Sequence, residues 1–189
     1  MENEGLIIIF EGCDGSGKSS LIKSTASFIQ QVGFDVTTIH SPGSIGYQGM
    51  LDFMNREYYN LELGEHTARL FDRVPPISEN IYGPVLRNHS KLPLIPHFTN
   101  LIYSLSQHNA YLVYCNPGFR EIKQNIKKLP QMVGVKDNID LIYDYYRTRM
   151  EMVEVFLDSV NSTDRFYKYN YKADRKMKNF QLWLIGKIE

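Results

Sequence analysis

The sequence predicts an α/β fold in which five parallel strands form one sheet covered by helices on both faces. Three observations carry this. Leu6-Ile7-Ile8-Ile9-Phe10 is a short, wholly apolar and largely β-branched run, four further strand-like runs follow it, and amphipathic stretches separate them all.

In chain order, Leu6 to Phe10 is bounded by Gly5 and by Glu11-Gly12 and has the pattern of a strand buried on both faces, hence the central strand. From Ser19 the residues Leu21, Ile22, Thr25, Phe28, Ile29 and Val32 line one face of a helix, and Gly33 stands at its stop position. Asp35 to His40 reads as the second strand, ended by Ser41-Pro42-Gly43, and Ala68 to Asp72 as the third. Tyr111 to Cys115 is the fourth, ended by Asn116-Pro117-Gly118, and Arg165 to Tyr171 the fifth. The stretch from Lys91 to Thr99 is a loop or helix entry, and Ile139 to Val160 is a long amphipathic helix. Between them, the region about 120–138 combines a basic run with Pro130 and Gly134 and is the candidate for a small mobile lid. Tyr167, Tyr169 and Tyr171 alternate with Lys168, Asn170 and Lys172, the period of a strand with one buried face, so all three rings are expected in the core rather than on a base-stacking platform.

At 189 residues the chain is sized for one domain, residues 1–189. Hydrophobic residues at 43% and charged residues at 22% remove support for disorder, collagen and coiled coil. The formal net charge is zero, which argues against a protein that coats nucleic acid. That zero is a sum of unlike parts, because residues 1–118 carry −4 and residues 119–189 carry +4. Cys13 and Cys115 form no metal-type pair or disulfide framework, so a reducing cytoplasm is expected. The early apolar run is too short to span a bilayer and follows Glu2 and Glu4 rather than a basic leader, so neither secretion nor membrane insertion is expected. The five histidines, at positions 40, 66, 89, 97 and 108, lack zinc-ligand spacing.

The chemistry concentrates in Gly12-Cys13-Asp14-Gly15-Ser16-Gly17-Lys18-Ser19, which matches G-x-x-x-x-G-K-[ST] and lies between a strand and a helix. Glycines let successive backbone N–H groups turn onto an anion, Lys18 brings a cation to the β and γ phosphates, and Ser19 is a ligand for Mg²⁺. Ser20 completes the loop, and ATP with Mg²⁺ is the expected cofactor pair. Cys13 lies in this loop either packed or merely exposed; the positive potential could lower its thiol pKa, yet no nucleophilic task is assigned to it. A carboxylate is needed near the metal at the end of a neighbouring strand, and Asp72 provides it, with Arg73 next in line for a phosphate oxygen.

With those residues in view the chain resembles the thymidylate kinases. Phe10-Glu11-Gly12-x-Asp14-Gly15-Ser16-Gly17-Lys18-Ser19-Ser20 is similar to their phosphate loop, with its acidic residue at the position of Asp14. Ser41-Pro42-Gly43 resembles their E-P-G turn with Ser in place of Glu, and Asp72-Arg73 resembles their D-R motif. Ser78-Glu79-Asn80-Ile81-Tyr82-Gly83 is similar to the Ser and Tyr that follow it in short bacteriophage-type members, with one residue more before the serine than in many cellular enzymes. The specific motifs cover the first half of the chain. The resemblance implies a P-loop NTPase-type three-layer fold and ATP- and Mg²⁺-dependent phosphoryl transfer to a deoxynucleoside monophosphate, dTMP or a related pyrimidine. It implies Lys18 as catalytic, Asp14 near the acceptor sugar, Arg73 on the acceptor phosphate, Phe53 and Arg56 at the acceptor base and Tyr82 as a pocket wall, and it implies a homodimer.

Two other readings remain open at the level of sequence. One keeps the ATP site and transfers to a hydroxyl, such as 5-hydroxymethyluracil in phage DNA, with Asp14 or Asp72 as base and the basic C-terminal part facing nucleic acid. The other is a nucleotide-binding switch without kinase activity, against which the chain lacks an N-K-x-D guanine signature. Basic side chains that close on the transferred phosphate would come from Arg120, Lys127, Lys128, Arg147 or Arg149.

Overall fold

The run from Leu6 to Glu11 forms β1 and is buried at every position, as a strand between two others must be. The computed structural model describes residues 5–42, 46–59, 63–87, 94–128, 130 and 133–188. Along the chain β1 is followed by α1 (Lys18–Gln31), β2 (Asp35–His40), and α2 (Gly46–Met54), which runs into a π-helical turn over Asn55–Tyr59. Next come β3 (Thr67–Asp72), α3 (Pro75–Leu86), α4 (Leu94–Gln107), β4 (Ala110–Cys115) and α5 (Phe119–Lys128). The chain ends with α6 (Ile139–Ser159), a 3₁₀ turn over Thr163–Arg165, β5 (Phe166–Tyr169) and α7 (Lys178–Ile188).

The five strands pair in parallel in the order β2-β3-β1-β4-β5. Because side chains alternate across a strand, β1 feeds two cores. Leu6, Ile8 and Phe10 pack with Leu21, Ile22 and Ile29 of α1 and with Phe180 and Leu184 of α7. Ile7 and Ile9 pack on the other face with Phe53, Ile81, Leu101, Ile142 and Tyr146, drawn from α2, α3, α4 and α6. A fully buried side chain of this size contributes about 2 kcal/mol, so β1 anchors both layers. In this register Phe10 lies opposite Asp72 of β3, and Glu11 lies opposite Tyr114 of β4. The C-terminal ends of the three central strands thus surround Gly12, the position at which open α/β sheets bind ligands. Among the described residues no helix is long and apolar enough to cross a membrane.

Two sequence expectations shift. The fifth strand ends at Tyr169 rather than Tyr171, because Asn170 starts a turn: its Oδ1 accepts the Lys172 N–H at 2.9 Å, and its carbonyl accepts the Asp174 N–H at 2.8 Å. Tyr167 and Tyr169 pack on Phe180, at ring separations of 5.4 and 5.7 Å, whereas Tyr171 is half-buried at the edge of the same core with its ring against Gly17 of the loop. The first part of the lid candidate is the amphipathic α5, with Ile122 and Ile126 buried; residues 129, 131 and 132 lie outside the described residues, as does Gly43 of the Ser41-Pro42-Gly43 turn.

Candidate active site

The phosphate loop leaves β1 at Gly12, which has φ 147°, and a Cβ there would lie 2.7 Å from the Cys115 carbonyl oxygen, so only glycine fits. Gly17, at φ 85°, precedes α1 and lies against the ring of Tyr171, which a Cβ would meet at 3.0 Å. From α5, Asn125 Nδ2 donates to the Gly15 carbonyl at 2.8 Å and to the Tyr171 hydroxyl at 3.0 Å. This one amide ties the loop, α5 and the turn after β5 together. The resulting cleft, about 580 Å³, is lined by Asp14, Lys18, Ser19, Tyr171, Arg175 and Met177 among others.

Lys18 is buried, and its ammonium is paired with the Asp72 carboxylate from the end of β3. His40, at the end of β2, holds the other carboxylate oxygen through Nδ1 at 3.2 Å. Burial works to raise the Asp72 carboxyl, but the charge and hydrogen bond of Lys18 outweigh it and hold its pKa below the usual carboxylate range.

Arg73 follows with φ 68°, a left-handed conformation that a residue with a long side chain rarely adopts, fixed by its N–H donating to the Phe10 carbonyl at 3.0 Å. The turn throws the guanidinium back toward the loop. Its Nη2 donates to Asp14 Oδ1 at 3.0 Å and to the Tyr82 hydroxyl at 2.9 Å, and the Tyr82 hydroxyl donates to Asp14 Oδ2 at 2.8 Å. Asp14, Arg73 and Tyr82 therefore close a triangle. Burial pushes the Asp14 carboxyl up, but the Arg73 charge and the Tyr82 hydrogen bond hold it low, so it stays ionised. The resemblance-based positions at 14, 73 and 82 are brought together, as are Lys18 and Asp72.

Phe53 and Arg56 are placed elsewhere. Phe53 is packed in the core, and Arg56 is exposed with its Nε on Glu57 at 2.6 Å; neither lines the cleft around the loop. Of the basic candidates for closure, Arg120, Lys127 and Lys128 are exposed on α5, Arg147 is paired with Asp144 at 3.5 Å, and Arg149 lies over the Phe98 ring. Cys13 is packed rather than exposed: burial, then the Asp14 charge, pushes its thiol up to about 12, so the loop's positive potential does not make it a thiolate.

Four further residues belong to the site or its support. Asn125, Tyr171 and Arg175 carry no motif and reach the cleft only through the packing of α5 and the turn after β5. Glu11 had a signal, a carboxylate directly after the apolar strand. It is fully buried, accepts the Val74 N–H at 2.7 Å through Oε1, and lies near Tyr146 of α6. Burial pushes its carboxyl up to about 7, against the Val74 hydrogen bond and the Arg73 and Lys18 charges. Its unfolded value is lower, so the folded state holds the extra proton between about pH 4.5 and about pH 7, and stability falls as pH rises through that window. Against Glu11→Gln, the wild type is expected to lose about 3 kcal/mol across it in urea unfolding, whereas parallel profiles would show that Glu11 is not the group titrating.

The chain is thus an α/β protein with a five-stranded parallel sheet and a G-x-x-x-x-G-K-[ST] phosphate loop at the end of its central strand. Neither a family model nor a curated protein sequence matches the chain. Among solved structures it is similar to the YorR protein of Bacillus subtilis, determined in complex with phosphorylated GDP, at 16% identity over 95% of both chains with a TM-score of 0.66. It is also similar to polyphosphate kinase 2 of Arthrobacter aurescens TC1, at 15% identity over 99% of this chain and 69% of that one, with a TM-score of 0.63.

Proposed function

We propose that the protein is an ATP- and Mg²⁺-dependent kinase that transfers a phosphoryl group to a deoxynucleoside monophosphate, with dTMP as the first acceptor to test. The observation that carries this is the Asp14–Arg73–Tyr82 triangle beside the phosphate loop. It sets a half-buried guanidinium, backed by a carboxylate and a phenol, next to the loop that holds the donor.

In this reading the loop amides and the N-terminus of α1 bind the donor phosphates, and Lys18 leaves Asp72 to follow the γ-phosphate. Arg73 orients the acceptor phosphate, and Asp14 faces the acceptor sugar. A phosphate oxygen is already ionised at neutral pH, so the reaction needs positioning and charge stabilisation rather than a strong base. Mg²⁺ suits the donor set, because Ser19 offers a hydroxyl and Asp72 a carboxylate that already draws the Lys18 ammonium, and the ion usually completes its shell with water and phosphate oxygens. When bound it would neutralise charge on the β and γ oxygens.

Tyr171 and Arg175 provide the wall for the donor base. Tyr171→Ala is expected to raise the KM for ATP roughly tenfold, the worth of one stacked base, while Tyr171→Phe stays near wild type; equal KM values for all three would remove the stacking role. Arg56 reaches an acceptor base only by releasing Glu57, and Phe53 would act from the core side.

A small nucleotide is favoured over DNA as acceptor because several C-terminal basic residues are already paired: Lys123 with Asp140 at 2.8 Å, Lys168 with Glu154 at 2.6 Å and Lys187 with Asp164 at 2.8 Å. The test incubates purified protein, ATP and Mg²⁺ with each nucleoside monophosphate and, separately, with oligonucleotides containing 5-hydroxymethyluracil. Nucleoside diphosphate formation is expected. Label transferred only to the oligonucleotide, or to neither, would overturn this reading.

A further inference from the structure

We propose that Glu11 is a positioning residue for Arg73: its carboxyl group clamps the left-handed turn that aims the guanidinium at the acceptor. What the guanidinium meets there rests on the kinase reading, whereas the clamp itself is a matter of geometry.

The turn from β3 into α3 has few anchors. Asp72 is still paired in the sheet opposite Phe10, and Ile77 is the first residue whose N–H is taken up by the helix, by the Val74 carbonyl at 3.1 Å. Between them Pro75 and Pro76 have no N–H. Arg73 and Val74 therefore carry the turn's only two backbone donors, and consecutive residues of β1 hold both. The Phe10 carbonyl accepts the Arg73 N–H at 3.0 Å, and Glu11 Oε1 accepts the Val74 N–H at 2.7 Å.

Arg73 needs both bonds. At φ 68° it occupies a region that a residue with a Cβ enters at a cost, and it persists there only where the surrounding structure over-determines it. Phe10 fixes the turn on the side of β3. Glu11 fixes it on the side of α3 through Val74, which is extended at φ −129° and ψ 139°, the conformation favoured before a proline. Glu11 and Val74 are fully buried, so water does not compete for their bond. The guanidinium then returns to the same strand end: Nε and Nη2 lie 3.3 Å from the carbonyl of Gly12, the residue after Glu11, and Nη2 also meets Asp14 and Tyr82. The end of β1 thus holds Arg73 by its backbone and by its side chain. Without the Glu11 bond the turn keeps one anchor, and the ordinary negative values of φ become open to Arg73.

What the clamp requires of residue 11 is an oxygen rather than a charge. A carboxylate, a neutral carboxyl and a carboxamide each offer the Val74 N–H an acceptor, and a leucine of similar bulk offers none.

Glu11→Leu is expected to lower kcat/KM for the acceptor roughly 10²-fold, the cost of about 1 Å of misplacement, while KM for ATP stays near wild type. Glu11→Gln is expected to keep most of the activity. In an Arg73→Met background Glu11→Leu is expected to add no further loss, because a residue that acts through Arg73 has nothing left to position, whereas a general loss of structure would lower both backgrounds alike. If Glu11→Leu does not fold, Glu11→Asp, which withdraws the oxygen by one methylene, takes its place with the same expectations. The NMR signal of the Arg73 Nε–H gives a readout without turnover, expected to move in Glu11→Leu and to hold its place in Glu11→Gln. Normal acceptor kinetics in folded Glu11→Leu, an equal loss in the Arg73→Met background, Glu11→Gln as impaired as Glu11→Leu, or an Arg73 signal unmoved by Glu11→Leu would overturn the proposal. A wild type that phosphorylates no monophosphate refutes the kinase reading instead, and the Arg73 signal then decides the clamp by itself.

Discussion

Lys18→Ala is expected to lower kcat/KM for phosphoryl transfer on the order of 10³-fold while the chain still folds. Lys18 is the buried cation at the mouth of the loop, and its task in the kinase reading is to meet negative charge that grows in the transition state. The loop backbone does not depend on its side chain. Gly12 and Gly17 hold their left-handed turns through their own lack of a Cβ, and Asn125 braces Gly15 from α5. Asp72 loses its ammonium partner and keeps the Arg73 charge and the His40 contact, so its carboxyl should titrate higher than in the wild type. Initial rates together with circular dichroism check both halves. Undiminished turnover in a folded Lys18→Ala protein would refute the assignment of the phosphate loop.

Arg73→Met is expected to reduce kcat/KM for the acceptor by roughly 10²- to 10³-fold, with the loss appearing mainly when the acceptor is varied. Arg73→Lys should recover only part of it, because an ammonium keeps the charge but not the planar group whose Nη2 reaches Asp14 and Tyr82 while its Nε holds the Gly12 carbonyl. The stability effect has a defined sign. Asp14 has its pKa depressed in the fold by Arg73, so the pair stabilises the protein above the ordinary carboxylate pKa and loses that contribution as pH falls through the depressed value. The wild type and Arg73→Met should therefore converge in stability at acid pH and diverge above it. A constant gap at all pH values, or an Arg73→Met enzyme with normal acceptor kinetics, would take Arg73 out of the acceptor site.

The sheet was legible because its signals are local. The wholly apolar run from Leu6 to Phe10 has one place in a parallel sheet, and the glycine-rich turn after it needs no partner to be recognised. Asp72 and Arg73 were legible through position, since a strand beside β1 must end at the loop. Other parts depended on contacts distant in sequence. Tyr171 keeps the alternation of Tyr167 and Tyr169, and only the turn at Asn170 and the bond from Asn125, 46 residues away, carries it to the cleft. Glu11 was visible as a residue but not as a titrating one, because its raised pKa comes from burial under α3 and α6. Phe53 and Arg56 do not match the resemblance cleanly in spacing, and the core packing of Phe53 and the pairing of Arg56 with Glu57 come from contacts that the spacing does not show.

The central claim is that donor and acceptor phosphates meet between Lys18 and Arg73. The most direct measurement is a crystal structure with Mg²⁺, a non-hydrolysable ATP analogue and dTMP. The γ-phosphate is expected on Lys18 and the loop amides, with the dTMP phosphate hydrogen-bonded to the Arg73 guanidinium. Clear density for dTMP away from Arg73, or for the ATP analogue outside the Gly12–Ser19 loop, would contradict it.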